Sequence, residues 1–290
     1  MNFNDQQINI AKLLNRISSI YQNYFLYEEI FKEQFENGYQ ALVCFLKSYA
    51  YERQGAPKAY SRIAIKCISN RFKNVHNWNV PTKDDSKNIW KEYKQIAKND
   101  FNIKVNEKQN PLNEDRGVIS KMNLNNISNI AVYIRDLIDS DDTNKAHYFM
   151  KEIRGIGEKI SSFYLRDIVY LAKLGEDNIS DLHLLQPIDT WLEQTLEIIF
   201  PSKLQNSLRE KQKLIVDLCK KSDVSSISFN QGAWVLGSQI AGDFETFKSA
   251  LTNYDFAQLI ISEHINEKER YLSELKNVLG ILRNKTDKNG

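Results

Sequence analysis

Cysteine and histidine are scarce in this chain, and where they occur they stand apart. Cys44, Cys67 and Cys219 share no metal-ligand spacing, and His76, His147, His183 and His264 are equally scattered. A zinc site or a four-cysteine iron–sulfur cluster therefore lacks a ligand set, and reduced thiols are the expected state. An excess of one charge is missing too. The 39 Lys and Arg against 37 Asp and Glu leave a net charge of +2, so there is no polybasic arm, and any contact with nucleic acid must come from a local arrangement. No run of about 18 apolar residues occurs, and the opening MNFNDQQINI lacks a basic region followed by an apolar stretch. Neither a membrane span nor a secretory signal is expected, and the chain reads as soluble and intracellular. Nor does any segment alternate apolar and polar residues for long enough to make a strand, and no internal repeat is visible.

What is present is helical periodicity. In 290 residues, 42% of them apolar, there is ample material for one large domain or two small ones. Ile8, Ala11, Leu14, Ile17, Tyr21 and Phe25 predict one long helix or two short ones between Asp5 and Phe35, ending by Gly38. A helix from Tyr39 to Arg53 follows, closed by Gly55, and Pro57 suits the first turn of the next, whose stripe is Tyr60, Ala64, Cys67 and Ile68. A cap signal around Asp84 to Ser86 opens a helix carrying Ile89, Trp90, Tyr93 and Ile96. The polar stretch from Asn99 to Gly117 reads as a loop. Further helices are expected at 127–139, 143–153, 158–173, from Asp189 to Phe200, and at 203–221, 231–240, 243–252 and 255–283, with a frayed RNKTDKNG at the end. The class is all-α with short connections.

One stretch organises the rest: IRGIGEKISSF, residues 153–163, followed thirty positions after Lys159 by Asp189 in PIDTWLE. Two glycines one residue apart cannot continue the helix that leads into them. The chain should turn at Gly155, where φ > 0 is cheap, and a second helix should begin at Glu158 or Lys159. That order leaves the N–H groups of Ile156, Gly157 and Glu158 unpaired at a helix N-terminus, which is an anion site that a DNA phosphate can fill without its sequence being read. A lysine in the first turn faces the positive end of the helix macrodipole, so its charged form is disfavoured and a neutral, nucleophilic amine is favoured. The carboxylate of Asp189, if folding brings it close, can take a proton from that amine or stabilise positive charge on a sugar ring.

The pattern of apolar residue, glycine, apolar residue, glycine, any residue, lysine, and then an aspartate opening a later helix, resembles the helix-hairpin-helix superfamily of DNA glycosylases. Here it is carried by Ile153 or Ile156 with Gly155, Gly157 and Lys159, then Asp189. The long Lys-to-Asp interval, the missing cysteine cluster and SYAYERQGAPKAY at 48–60 look like the archaeal 8-oxoguanine glycosylase branch; endonuclease III relatives have a tighter interval and usually carry the cluster. The resemblance implies two helical subdomains with a cleft between them. Residues 1–35 and 186–290 would form a discontinuous domain carrying Asp189, and 36–185 a helical barrel ending in the hairpin. It implies a damaged nucleotide flipped out of double-stranded DNA into the cleft, attack by Lys159, a Schiff base and strand nicking by β-elimination. It also implies no cofactor, with room for a monovalent cation at the hairpin, a monomer, no membrane partner, and a cytoplasmic, nucleoid-associated location.

More residues follow from the same likeness. Phe163, one turn after Lys159, would reach the cleft, and Pro187 would shape the pocket floor. Asn230 and Trp234 match an acidic-residue-then-Trp pair used for base recognition in that branch, with asparagine replacing the acid. An asparagine both donates and accepts, which leaves a preferred base other than 8-oxoguanine open. Gln22 and Ser48 are candidates for base-edge contacts, and Tyr60 stands where the branch has a stacking tryptophan.

Plainer readings stay open beside these. Gly-x-Gly also serves as a simple connector, and Asp189 before Thr190 is a good N-cap. Trp191, Trp234 and Phe163 suit a core, and Arg154 and Arg166 suit either phosphates or a solvated face. A glycosylase for alkylated or otherwise modified bases and a non-enzymatic DNA-binding module both remain as alternatives.

Overall fold

The computed structural model describes residues 3–26, 33–51, 58–72, 78–203 and 206–286, with side chains described to residue 279. Among these residues every regular element is helical, and none is a strand. Helix α1 (Asp5–Ile20) starts from a reciprocal cap in which Asn4 and Gln7 each accept the other's backbone N–H at 2.9 Å. It buries Ile10, Ala11, Leu14 and Ile17, then widens into a π-helical turn over Tyr21–Phe25. Helix α2 (Gly38–Phe45) opens at the glycine expected to close the preceding helix. The Asn37 side chain accepts from the N–H groups of Tyr39 and Gln40, and a side chain at position 38 would collide with the Ser128 carbonyl and the Trp78 ring. A second π-helical turn covers Leu46–Ala50. Gly55 and Pro57, expected to mark the next boundary, lie outside the described residues, as does much of the 48–60 segment.

Helix α3 (Ala59–Arg71) packs on α4 (Lys83–Asn99). The cap of α4 is Thr82, slightly upstream of the expected signal, in a box with Asp85 whose carboxylate also receives Arg71 Nε at 2.5 Å. Then come α5 (Val118–Leu124), a helix the periodicity did not announce, α6 (Ile130–Asp139), α7 (Thr143–Glu152) and α8 (Glu158–Leu171). After a 3-10 turn at Leu182–Leu185 the chain forms α9 (Thr190–Ile199), α10 (Leu208–Ser222) and α11 (Ser226–Val235). The last of these starts earlier than expected, because the Ser225 hydroxyl caps it through Ser228 N–H. It runs on as a π-helical turn (Leu236–Ala241), followed by α12 (Phe244–Thr252) and the long α13 (Tyr254–Thr286).

Two hydrophobic clusters hold these helices. The first gathers α2 to α8 around Leu42, Phe45, Ile63, Trp90, Ile134 and Tyr164. The second gathers α1, α9 to α12 and the start of α13 around Leu14, Leu192, Ile215, Phe229, Phe247 and Ile260. Helix α8 belongs to both, with Ile160, Tyr164 and Ile168 in the first and Leu171 in the second. Burying side chains of this size contributes about 1.5–3 kcal/mol each.

Helices α1 and α11 touch backbone to backbone. A Cβ built on Gly232 would lie 1.8 Å from the Leu14 carbonyl oxygen, so the missing side chain is what permits that approach. Gly232→Ala should therefore force the two helices apart and cost about 1–3 kcal/mol or more, read as a lowered urea midpoint. An unchanged midpoint would show that the contact is looser than described.

Candidate functional site

Helices α7 and α8 are joined by residues 153–157, and the two glycines of that connection do different work. Gly155 has φ +80°, and a Cβ there would lie 2.2 Å from the carbonyl oxygen of Gln109, so it is fixed by both backbone conformation and packing. The polar 99–117 stretch is thus a brace for the turn. Arg154 N–H donates to the Arg116 carbonyl at 2.8 Å, and Asn110 accepts from Leu112 N–H and the Tyr51 hydroxyl. Gly157 is the opposite case. Its φ of −98° suits any residue, and a Cβ there would meet nothing within 4 Å.

Gly157 is the N-cap of α8 and offers no side chain to the first turn, whose N–H groups at Glu158, Lys159 and Ile160 have no partner among the described residues. The Ile156 N–H, expected to be free as well, is taken by the Ile153 carbonyl at 3.0 Å, because the turn closes on itself. Glu158 brings an acid to this terminus, but its carboxylate is engaged by Lys151 Nζ at 2.5 Å and lies 3.2 Å from His147 Nε2. Burial holds the His147 ring below its ordinary pKa despite that carboxylate. Lys159 is exposed.

Asp189 is the N-cap of α9. Its Oδ1 accepts the Leu192 N–H at 2.9 Å, so the capping role expected for it is real. Burial pushes the Asp189 pKa above 3.8, outweighing the Leu192 N–H and the charges of Arg166 and Lys159, which act the other way. That Lys159 and Arg166 are felt at this carboxyl puts the starts of α8 and α9 in electrostatic reach of each other.

Behind Asp189 lies a buried polar network that the sequence did not disclose. Arg166 has no solvent exposure, so neither phosphate contact nor a solvated face describes it. Its guanidinium donates to Asp167 Oδ1 (2.9 Å), to Asn230 Oδ1 (2.7 Å) and to the Tyr21 hydroxyl (2.7 Å). It also lies 4.4 Å from the Phe163 ring centroid and 4.8 Å from that of Tyr21. Asp167 Oδ2 accepts from the hydroxyls of Tyr21 and Tyr49. Asn230 in turn donates to the Pro187 carbonyl at 3.1 Å, two residues before Asp189. The one sign in the sequence was an Arg-Asp pair on the inward stripe of α8.

The remaining candidates fall in two places. Gln22, Phe163, Pro187, Asn230 and Trp234 surround this network. Asn230 is buried with both ends of its amide committed, and Gln22 donates to Ser18, Ser228 and Gln231. Trp234 packs edge-on against Tyr21 and Phe25, and Phe163 is half-buried beneath the Arg166 guanidinium. Ser48, beside the Cys44 thiol, and Tyr60, whose hydroxyl donates to the Lys104 carbonyl, attach instead to the first cluster. A recess of about 220 Å³ is lined by Ser180, Leu182, His183, Lys213, Val216, Asp217 and Lys220, and by neither Lys159 nor Asp189. No helix among the described residues is long and apolar enough to cross a membrane. Comparison with protein-family models, curated proteins and solved structures finds no match to this chain.

Two measurements check this geometry. Arg166→Met leaves the Asp167 carboxylate buried without its cation and should cost about 3–5 kcal/mol, part of it recovered by adding Asp167→Asn; a change too small to move the urea midpoint would contradict the network. In a carboxyl-carbon NMR titration Asp189 should titrate above 3.8, and higher still in Lys159→Gln. With the folded value above the unfolded one, the protonated group favours the fold at low pH, and that contribution fades as pH rises through the folded value. An Asp189 titration indifferent to position 159 would separate the two side chains.

Proposed function

We propose that this chain is a bifunctional DNA N-glycosylase and abasic-site lyase that removes an oxidised purine, 8-oxoguanine being the first substrate to try. The observation that carries the reading is the pairing of Lys159, exposed on the first turn of α8, with a sheltered Asp189 carboxyl that feels its charge. In this reading the connection 153–157 is the helix-hairpin-helix, and the two hydrophobic clusters are the two walls of the cleft.

The chemistry follows from the groups. Base, sugar carbon and amine can meet only once the nucleotide leaves the stack. Lys159 as the free base attacks C1′ of the deoxyribose, the C1′–N bond breaks with its electron pair leaving on the base, and the amine proton passes to the Asp189 carboxylate. The proton held by Asp189 goes to O4′ as the C1′–O4′ bond opens and Nζ and C1′ form the Schiff base; a C2′ proton then passes to the departed base anion as the C3′–O bond breaks and the 3′ phosphate leaves with that electron pair. Asp189 serves this sequence better for its raised pKa, since a carboxyl held above its ordinary range is a stronger base. Its working form is the carboxylate, so the acid limb of the rate should lie above pH 3.8.

Support for DNA comes from the first turn of α8, with unpartnered N–H groups and a glycine that neither backbone nor packing requires. A glycine in open space is accounted for if a phosphate comes close to it. Of the base-pocket residues, Phe163 is the strongest, being one turn from Lys159. Asn230 and Gln22 would act by positioning Pro187 and the walls, their amides already being engaged. No cofactor enters this chemistry; a monovalent cation at residues 153–157 and a cytoplasmic, nucleoid-associated location belong to the same proposal.

Borohydride should trap a covalent complex between the protein and duplex DNA holding one lesion, across a panel of lesions, and Lys159→Gln should abolish it. Trapping that survives would reassign the nucleophile, and absence of base release from every lesion would leave only a DNA-binding module. Asp189→Asn should slow base release by about 10²-fold or more. Gly157→Ala should weaken duplex binding while the urea midpoint stays put, because the added methyl meets no protein atom.

A further inference from the structure

The final helix, α13, leaves the body of the protein within two turns. Its last buried side chain is Ile260, and every residue from Ile265 to Leu279 is exposed. The helix continues to Thr286, roughly 40 Å along its axis from Ile260. Ile265, Tyr271, Leu272, Leu275, Val278 and Leu279 are between 46% and 63% exposed. A helix of that length standing free in water is marginal on its own, because helices in proteins draw most of their stability from a packed apolar face.

The apolar positions are ordered as a coiled-coil seam. Ile265, Leu272 and Leu279 recur every seven residues, and Leu275 with Lys268 fills the intervening positions of the 3-4 repeat. The six positions on the far side of the helix, Asn266, Glu267, Arg270, Ser273, Glu274 and Asn277, are all polar. Flanking the seam, one edge carries Glu269 and Lys276 and the other carries Tyr271 and Val278.

We infer that α13 pairs with the α13 of a second copy of this chain, antiparallel, in a register centred between Leu272 and Leu275. In that register each Leu272 faces the other chain's Leu275, and each Lys268 shares a layer with a Leu279, along which its methylenes can lie while the ammonium reaches water. Antiparallel pairing sets like edges together. Glu269 then meets Lys276 of the second copy, twice by symmetry, and Tyr271 meets Val278, also twice. A parallel pair would place the two Lys268 side chains in one core layer and set Tyr271 against Lys276, with no opposite charges brought together by Glu269 and Lys276. Charge and apolar surface are self-complementary only in the antiparallel arrangement, which makes a second copy the fitting occupant. This proposal stands against the monomer that the resemblance implied.

Light scattering on the full chain across the micromolar range tests this. The mass should rise to twice the 33.8 kDa of the chain, and Leu272→Glu with Leu275→Glu should return it to 33.8 kDa with an unchanged urea midpoint for the body. Glu269→Lys or Lys276→Glu alone should weaken association about two- to thirty-fold, as expected for two exposed ion pairs, and the two reversals together should restore it. A chain that stays at 33.8 kDa throughout overturns the second copy as partner. Reversals that add without rescue overturn the antiparallel register.

Discussion

The buried ion pair of Arg166 and Asp167 is the constraint on which the rest of the structure depends. Two charges with no solvent exposure are tolerable only when every remaining hydrogen-bonding group around them is occupied. Here the obligations spread over Tyr21 after α1, Tyr49 after α2, Asn230 and Gln231 on α11, and through Asn230 to the carbonyl of Pro187. One residue pair on α8 therefore ties the first hydrophobic cluster to the second. Such a network adds little net stability over an apolar core, but it discriminates sharply between one relative placement of the helices and any other. Two of the three π-helical turns among the described residues fall where a tyrosine has to reach it, Tyr21 in the first and Tyr49 in the second.

That registration bears directly on the candidate site. Asp189 follows Pro187 by two residues, and Lys159 precedes Arg166 by two turns of α8. A network that pins Pro187 and Arg166 together also brings the starts of α8 and α9 near each other, which is how the Lys159 charge comes to act on the Asp189 carboxyl. The two helix starts are finished differently. Asp189 caps its own helix with a carboxylate, whereas α8 begins at a glycine and leaves its first N–H groups to an outside acceptor. One terminus is capped by a side chain of its own, and the other begins at a glycine with no side-chain cap among the described residues.

The connection between α7 and α8 divides its two glycines in the same manner. Gly155 satisfies the fold, pressed on the Gln109 carbonyl at positive φ, and the loop that presses on it had looked like a mere polar spacer. At Gly157 neither backbone conformation nor packing calls for a glycine, since φ is −98° and an added Cβ would meet nothing within 4 Å. Helix α13 presents apolar residues that the body leaves uncovered. Neither feature is explained by the stability of a single chain, and the two proposals above account for them, one by a phosphate and one by another helix.

The sequence by itself determined the helical class, most helix positions and the cap at Asp189, because these rest on local periodicity, glycine conformation and the bonds of single turns. It also showed Gly155 as a turn for the right reason. It took Arg166 for a phosphate-binding or solvated charge, and it passed over α5 and the bracing loop, since each depends on what lies beside it in space. Whether Arg166 is solvated or sealed, whether Asn230 has a free amide, and which way burial shifts Asp189 are decided by contacts tens to well over a hundred residues apart. Composition can announce that a chain will bury its apolar residues; only the packed helices decide which polar groups are buried with them, because desolvation is a property of the assembled surroundings and not of the residue.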